Sequence, residues 1–423
     1  MADTATHSTT HSTTHSTLQG APHTAGCPFH GHGGGSERKA ALPGEPLTPA
    51  YEVHGDRWTL RSFALVRAAL RDPEATKQAG FGAEAAAQAT AKMRPPILYL
   101  EGPEHKAQRT ATARYFTPQT VSRDYREMME GLADELVGEL RAQGRADLSS
   151  LSMRLAVRVA AQVVGLTNSR LSGMSRRLNT FFEDDPTQFS WRPDRLLRFV
   201  KTQSALLRFF YQDVKPAIRA RRKTPQEDVI SHLIGRGYTD FEILTECVTY
   251  AAAGMVTTRE FVVMAAWHLL DNEPLRAHYL GADDAGRARV LEEILRLEPV
   301  VGHLYRRTVR DLTLSADGET FTIPAGSLLD LDLRAANAVG ETVGEATLEL
   351  CPARPLERGV QGPVLSFGDG HHRCPGAYLA LQESDIFLQR LLKLPLTAEK
   401  APHLGWNPIA AGYELSGFVV SVN

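Results

Sequence analysis

Four cysteines in 423 residues, Cys27, Cys247, Cys351 and Cys374, are too few and too scattered to form a disulfide framework. A chain that does not rely on disulfides fits a reducing cytoplasm, where a special cysteine serves as ligand or nucleophile. An excess of either charge is also missing. The 47 basic and 49 acidic residues leave a formal charge of −2, which offers no attraction to nucleic acid or to an anionic membrane. No apolar run is long enough to span a bilayer. The N-terminus lacks the basic patch and apolar stretch of a secretory signal. Beyond the N-terminal stretch, no internal repeat is visible. What the chain does have is 43% hydrophobic residues, enough for a large core, and its length is compatible with one large folding unit.

Residues 1–45 differ from the rest. The unit His-Ser-Thr-Thr begins at His7 and again at His11, and Gly33, Gly34 and Gly35 follow. Such a stretch has little apolar surface to bury, so it is expected to be a disordered tail. Its histidines, His7, His11, His15, His23, His30 and His32, are irregularly spaced, which makes any metal binding incidental. The ordered domain is expected over residues 46–423. A strand signal at Arg57-Trp58-Thr59-Leu60 runs into Ser62, a helix cap for Phe63 to Arg71. Helical periodicity then predicts helices over 104–115, 122–143, 150–164, 201–221, 240–270, 285–297 and 376–393. Strand-like alternation is expected only near 311–334, with turns at Ala316-Asp317-Gly318 and Pro324-Ala325-Gly326. The fold class is therefore mainly α with a minor β region.

The most informative stretch is Phe367-Gly368-Asp369-Gly370-His371-His372-Arg373-Cys374-Pro375-Gly376. Its cysteine sits just ahead of a helix N-terminus, where backbone N–H groups and the helix dipole favour a thiolate. Gly368, Gly370 and Gly376 permit tight turns and close approach of the backbone to a flat ligand. A structural cysteine in a glycine-rich turn is the alternative. The combination Phe-Gly-x-Gly-x-His-x-Cys-x-Gly opening a helix is far more specific than a lone Gly-x-Gly, and it resembles the haem-binding loop of the cytochrome P450 superfamily.

That resemblance extends upstream, in the order the superfamily has it, over about residue 50 to the end. Glu293-Ile294-Leu295-Arg296 resembles its structural Glu-x-x-Arg pair, and Arg354 resembles the arginine that completes it. His105 and Arg109, one helical turn apart, match positions that bind the haem propionates, as do Arg306 and His372. Leu98 to Pro103, Ile323 to Gly326 and Ala335-Ala336-Asn337 match further landmarks. The resemblance implies a single-domain P450 fold and a b-type haem with Cys374 as the axial thiolate. Phe367, Gly368 and Gly376 would shape the cofactor loop, whose N–H groups would tune the sulfur. With no Cys-x-x-Cys-His in the chain, the haem would be held without covalent attachment.

Tyr250-Ala251-Ala252-Ala253-Gly254-Met255-Val256-Thr257-Thr258 lies in a helix apolar on nearly every face, which belongs at the centre of the protein. Gly254 in mid-helix suggests close approach of something flat or a local widening. Ala253, Gly254 and Thr257 match the superfamily's oxygen-activation motif, but Val256 replaces its acid. The usual proton route is thus in doubt, with Thr258 and Glu260 as possible substitutes. The resemblance implies a monooxygenase that receives NAD(P)H electrons through a ferredoxin or flavodoxin and its reductase. It would insert one oxygen atom of O2 into a small organic substrate. A peroxide-using or oxidative-coupling enzyme is the second reading, made more plausible by Val256, and a haem-based ligand sensor the third. By resemblance the substrate would be lined by residues 78–97, residues 171–205, the central helix, Val300 to Leu304 and Ala411 to Ser416. Phe181, Phe182, Phe189 and Trp191 suggest that it is apolar, with packing as the equal alternative for these aromatics.

Overall fold

The computed structural model describes residues 37–41, 45–83, 93–169, 173–174, 177, 193–316, 318–408 and 411–423. The tail histidines and the aromatic residues Phe181, Phe182, Phe189 and Trp191 lie outside the described residues. Residues 37–41 fall within the stretch expected as a tail but pack on the body. Arg38 Nε donates to the Leu297 carbonyl at 2.8 Å, Lys39 Nζ meets Asp271 at 2.6 Å, and Ala40 is buried. Their anchors are mostly charged side chains, so no apolar pattern announces them.

Twelve strands are described, in four sheets. A five-stranded sheet has the order β1-β2-β8-β5-β3, formed by Tyr51–His54 (β1), Arg57–Leu60 (β2), Thr76–Gln78 (β3), His303–Thr308 (β5) and Leu328–Asp332 (β8). Only its β2–β8 pairing is parallel. Leu312–Ala316 (β6) and Glu319–Ile323 (β7) form a hairpin. Arg145–Asp147 (β4) lies in a three-stranded sheet with Leu396–Lys400 (β9) and Val419–Val422 (β12), and His403–Asn407 (β10) pairs with Gly412–Ser416 (β11). The strand signal at 57–60 is β2 and the alternation near 311–334 is β6, β7 and β8, but the remaining strands were not expected from alternation. The missed strands are short or, like His303-Leu304-Tyr305-Arg306-Arg307-Thr308, carry charges on both faces, so apolar alternation does not mark them.

The helices follow the sequence more closely. Ser62 caps Phe63–Arg71 (α1) by accepting from Leu65 N at 3.2 Å, and Leu65, Val66, Ala69 and Leu70 bury one face. Gly102–Ala113 (α2), Arg126–Gln143 (α3) and Leu148–Val164 (α4) follow, α3 ending at Gly144 with φ +71°. The expected helix over 201–221 is Pro193–Phe209 (α5), a π-helical segment at Phe210–Val214, and Lys215–Lys223 (α6). Val229–Gly235 (α7) and Glu273–Gly281 (α10) were not expected. The central helix is Asp240–Tyr250 (α8), a π-helical segment at Ala251–Val256, and Thr257–Asp271 (α9). A Thr239–Glu242 capping box starts it: Glu242 N donates to Thr239 Oγ1 at 3.3 Å, and Thr239 N donates to the Glu242 carboxylate at 2.8 Å. Phe261 through Ala266 are all buried, and α9 packs against α4, Asp284–Leu297 (α11) and Ala377–Leu391 (α12). Among the described residues, no helix is long and apolar enough to cross a membrane.

Candidate active site

The loop before α12 is held from several sides. Cys374 N donates to the Phe367 carbonyl at 2.9 Å, and Gly368 N to that of Leu365 at 2.7 Å. Gly368 and Gly370 both have φ +67°, and a Cβ at Gly370 would run into the Leu70 carbonyl at the end of α1. There glycine is required by conformation and by close approach. Gly376 is different: it lies in a turn, but with φ −88° and open space where a Cβ would stand, so neither conformation nor close approach requires glycine there. It precedes α12 and offers its N–H to the Cys374 sulfur. The Asp369 carboxylate accepts from Gly370 N at 2.7 Å, Arg67 Nε at 3.1 Å and Arg71 Nε at 2.8 Å, fastening the loop to α1. Phe367 is partly buried against the main core. Cys374 is exposed, but the dense protein around it pushes its thiol up against the pull of the Gly376 N–H, Arg109 and Arg373. Cys247 is buried, and burial pushes its thiol much higher.

Glu293, Arg296 and Arg354 form one closed cluster. Arg296 donates to Glu293 at 2.7 and 2.9 Å, and Arg354 Nε and Cys351 N both donate to Glu293 Oε1, at 3.0 and 2.9 Å. The remaining arginine donors reach backbone carbonyls: Arg296 those of Asn337, Thr347 and Glu349, and Arg354 those of Val343, Glu345, Ala346 and Glu349. The cluster ties α11 to the chain that leads into the cysteine loop.

A second polar cluster lies between α2, β5 and that loop. The rings of His105 and His372 are 4.2 Å apart, and His371 lies edge-on to His105 at 5.6 Å. Glu101 stands among them, with Oε2 3.2 Å from His371 Nε2 and 3.3 Å from His372 Nε2. Burial pushes the Glu101 carboxyl up, but hydrogen bonds from His371, His372 and the Gln78 backbone outweigh it and hold the group well below the usual carboxylate range. Arg306 is buried and donates to Gln78 Oε1, and burial lowers its guanidinium to about 10. His105 is lowered to about 4 by burial and by its cationic neighbours. Arg109 donates to the Arg373 carbonyl, which puts it beside the cysteine. The structure thus brings His105, Arg306 and His372 into one cluster and sets Arg109 at the loop next to it. The sequence motif leaves the position of His371 free, so nothing in the pattern marked that residue.

On the central helix, the widening suggested by Gly254 is present as the π-helical segment. Gly254 has open space at its Cβ position, and Thr257 Oγ1 donates to the Ala253 carbonyl at 2.6 Å. Of the two substitutes for the missing acid, Glu260 is engaged elsewhere: its carboxylate pairs with Arg259 and accepts from Leu415 N at 2.7 Å. Thr258 is buried against the carboxyl of Glu383 on α12, which burial pushes up to about 8.

Residues 288–394 match the family model for cytochrome P450, a span that contains both the Glu293 cluster and the cysteine loop. The chain is 30% identical over 305 residues to cyclomarin C epoxidase CymV of Salinispora arenicola, covering 70% of this chain and 72% of that one. It belongs to the cytochrome P450 family. It is also 29% identical to the cytochrome P450 monooxygenase PikC of Streptomyces venezuelae, over 82% of this chain and 80% of that one. The fold matches the crystal structure of CalO2 with a TM-score of 0.73 at 22% identity, covering 89% of this chain and 93% of that one. This P450 is accordingly a haem-thiolate monooxygenase, an oxidoreductase whose haem iron takes a cysteine thiolate. The residues present fit that cofactor. Nε2 of His105, Nδ1 of His371 and Nε of Arg306 are buried without a partner among the described residues; the guanidinium N–H, and an imidazole N–H where the ring carries its proton there, suit the carboxylates of a haem edge.

Proposed function

We propose that Cys374 supplies the axial thiolate and that His105, Arg109, Arg306 and His372 bind the propionates of a b-type haem. Phe367, Gly368 and Gly376 shape the loop beneath it, and Ala253, Gly254 and Thr257 serve the oxygen side. Glu293, Arg296 and Arg354 hold the frame. The reaction is insertion of one oxygen atom from O2 into a small apolar organic substrate. Electrons come from NAD(P)H through a ferredoxin or flavodoxin and its reductase. One observation carries this reading: a cysteine loop fastened to α1 and α11 coexists with a central helix widened where its Gly254 and Thr257 stand.

When bound, the haem supplies oxygen activation; the chain's own residues supply access, orientation and protons. Thr257 Oγ1 spends its hydrogen on the Ala253 carbonyl, so the hydroxyl oxygen remains an acceptor beside the π-helical segment. Val256 can hold no proton. Thr258 and Glu383 offer the replacement, because a carboxyl near 8 keeps its proton at neutral pH and can release it. For the redox partner, a surface depression of about 310 Å³ lies by the cysteine loop, lined by Arg109, Thr110, Ala113, Phe116, Thr117 and Pro375. By the family resemblance, Arg114, Arg358 and Arg373 are the cations assigned to an acidic partner on this side.

Product formed per NAD(P)H consumed, with ferredoxin and its reductase, tests the function. Thr257→Ala is expected to lower that ratio by about tenfold and to divert reducing equivalents to peroxide. An unchanged ratio would remove Thr257 from oxygen activation and favour the oxidative-coupling reading.

A further inference from the structure

Glu101 occupies the N-cap position of α2, where an acidic side chain ordinarily accepts from the first turn of its own helix. It makes no such bond. Its carboxylate turns instead across the fold. Oε1 accepts from Gln78 N on β3 at 2.6 Å, and Oε2 takes both histidines of the cysteine loop through Nε2, at 3.2 and 3.3 Å. Gln78 continues the connection, since its side-chain oxygen accepts from Arg306 on β5. One carboxylate therefore gathers the cysteine loop, the five-stranded sheet and the start of α2. The three buried nitrogen atoms without partners belong to residues that it gathers or that stack on them.

We propose that Glu101 is a positioning residue for the haem edge, and that it acts through His371 as well as His372. This rests on the haem site described above. By taking Nε2 of each ring, Glu101 fixes both ring planes, and a ring that donates at both nitrogens keeps its Nδ1–H for the cofactor. The loop then presents two imidazoles to the haem edge, where its sequence motif specifies one. Glu101 also adds a third negative charge beside the two propionates. A fixed negative charge near the iron favours its oxidised state, so Glu101 lowers the readiness of the haem to accept an electron.

The experiment uses the haem-loaded full chain and two readouts: transfer of haem to excess apomyoglobin, and the midpoint potential by redox titration. Glu101→Gln, which keeps size and removes charge, is expected to speed haem loss at least fivefold. It is also expected to raise the reduced-to-oxidised ratio about tenfold at fixed potential, about 59 mV for a one-electron couple. His371→Ala should speed haem loss similarly without the upward shift in potential, and the double variant should lose haem no faster than either alone. A general loosening of the fold would not separate the two readouts in this way. Wild-type rate and potential in Glu101→Gln, or additive losses in the double variant, would overturn the proposal while leaving the haem site intact. Wild-type protein that binds no haem would instead overturn the site itself.

Discussion

Two polar clusters flank the cysteine loop, and they are built on opposite principles. Around Glu293 the acid and both arginines end on a partner, either on each other or on backbone carbonyls. Around Glu101 three buried nitrogen atoms have no partner among the described residues. Burying an unmatched donor costs free energy, so a closed cluster reads as architecture and an open one as a place for a ligand.

The largest expected effect breaks the closed cluster. Glu293→Ala or Arg296→Ala strands a buried charge, which costs about 3–5 kcal/mol. The expected outcome is poorly soluble or haem-free protein, measured by yield, haem content and melting temperature. A folded, haem-loaded and merely slow variant would place these residues in the chemistry.

Restoring an acid where the family carries one sharpens the comparison on the oxygen side. Val256→Glu should preserve or raise coupled turnover if Thr258 and Glu383 are a makeshift relay. It should do little for the native product in a coupling enzyme. Glu383 can also be tested through stability. Burial raises its pKa from 4.5 to about 8, so folding holds a proton that the unfolded chain has released. Stability conferred by the neutral carboxyl is full below about 4.5 and is lost as pH rises through about 8. Glu383→Gln should therefore flatten the fall in melting temperature between pH 5 and pH 9, and parallel curves for variant and wild type would contradict a buried neutral acid. The smallest effect concerns the surface. Reversing the charges of Arg114, Arg358 and Arg373 should slow electron transfer severalfold at low salt, with the defect shrinking as salt rises. A rate unaffected at low ionic strength would move the docking face elsewhere.

How much was legible beforehand follows the same physics. The α1 helix and its Ser62 cap, the central helix and the cysteine loop are encoded by local spacing, and each stands where that spacing predicts. Glu293, Arg296 and Arg354 could be matched because each sits in a short motif. His371 and Gln78 could not, because their roles come from a carboxylate brought in from a distant part of the chain. The strand His303–Thr308 was hidden for a related reason: it buries Arg306 toward Gln78 and turns His303 toward Asp330, so charge covers both faces. Glu260, plausible by helical spacing alone, proved to be bound to Arg259 and Leu415. Spacing tells which face a residue takes, and only the packed neighbours tell whether it is free to act.

The assignment of the thiolate to Cys374 is tested most directly by the ferrous–CO absorbance spectrum of freshly purified protein. Wild type and Cys247→Ser should both show the red-shifted Soret band of a thiolate-ligated haem, and Cys374→Ser should lose it. A globin-like band in the wild type, or a red-shifted band that survives in Cys374→Ser, would contradict the account.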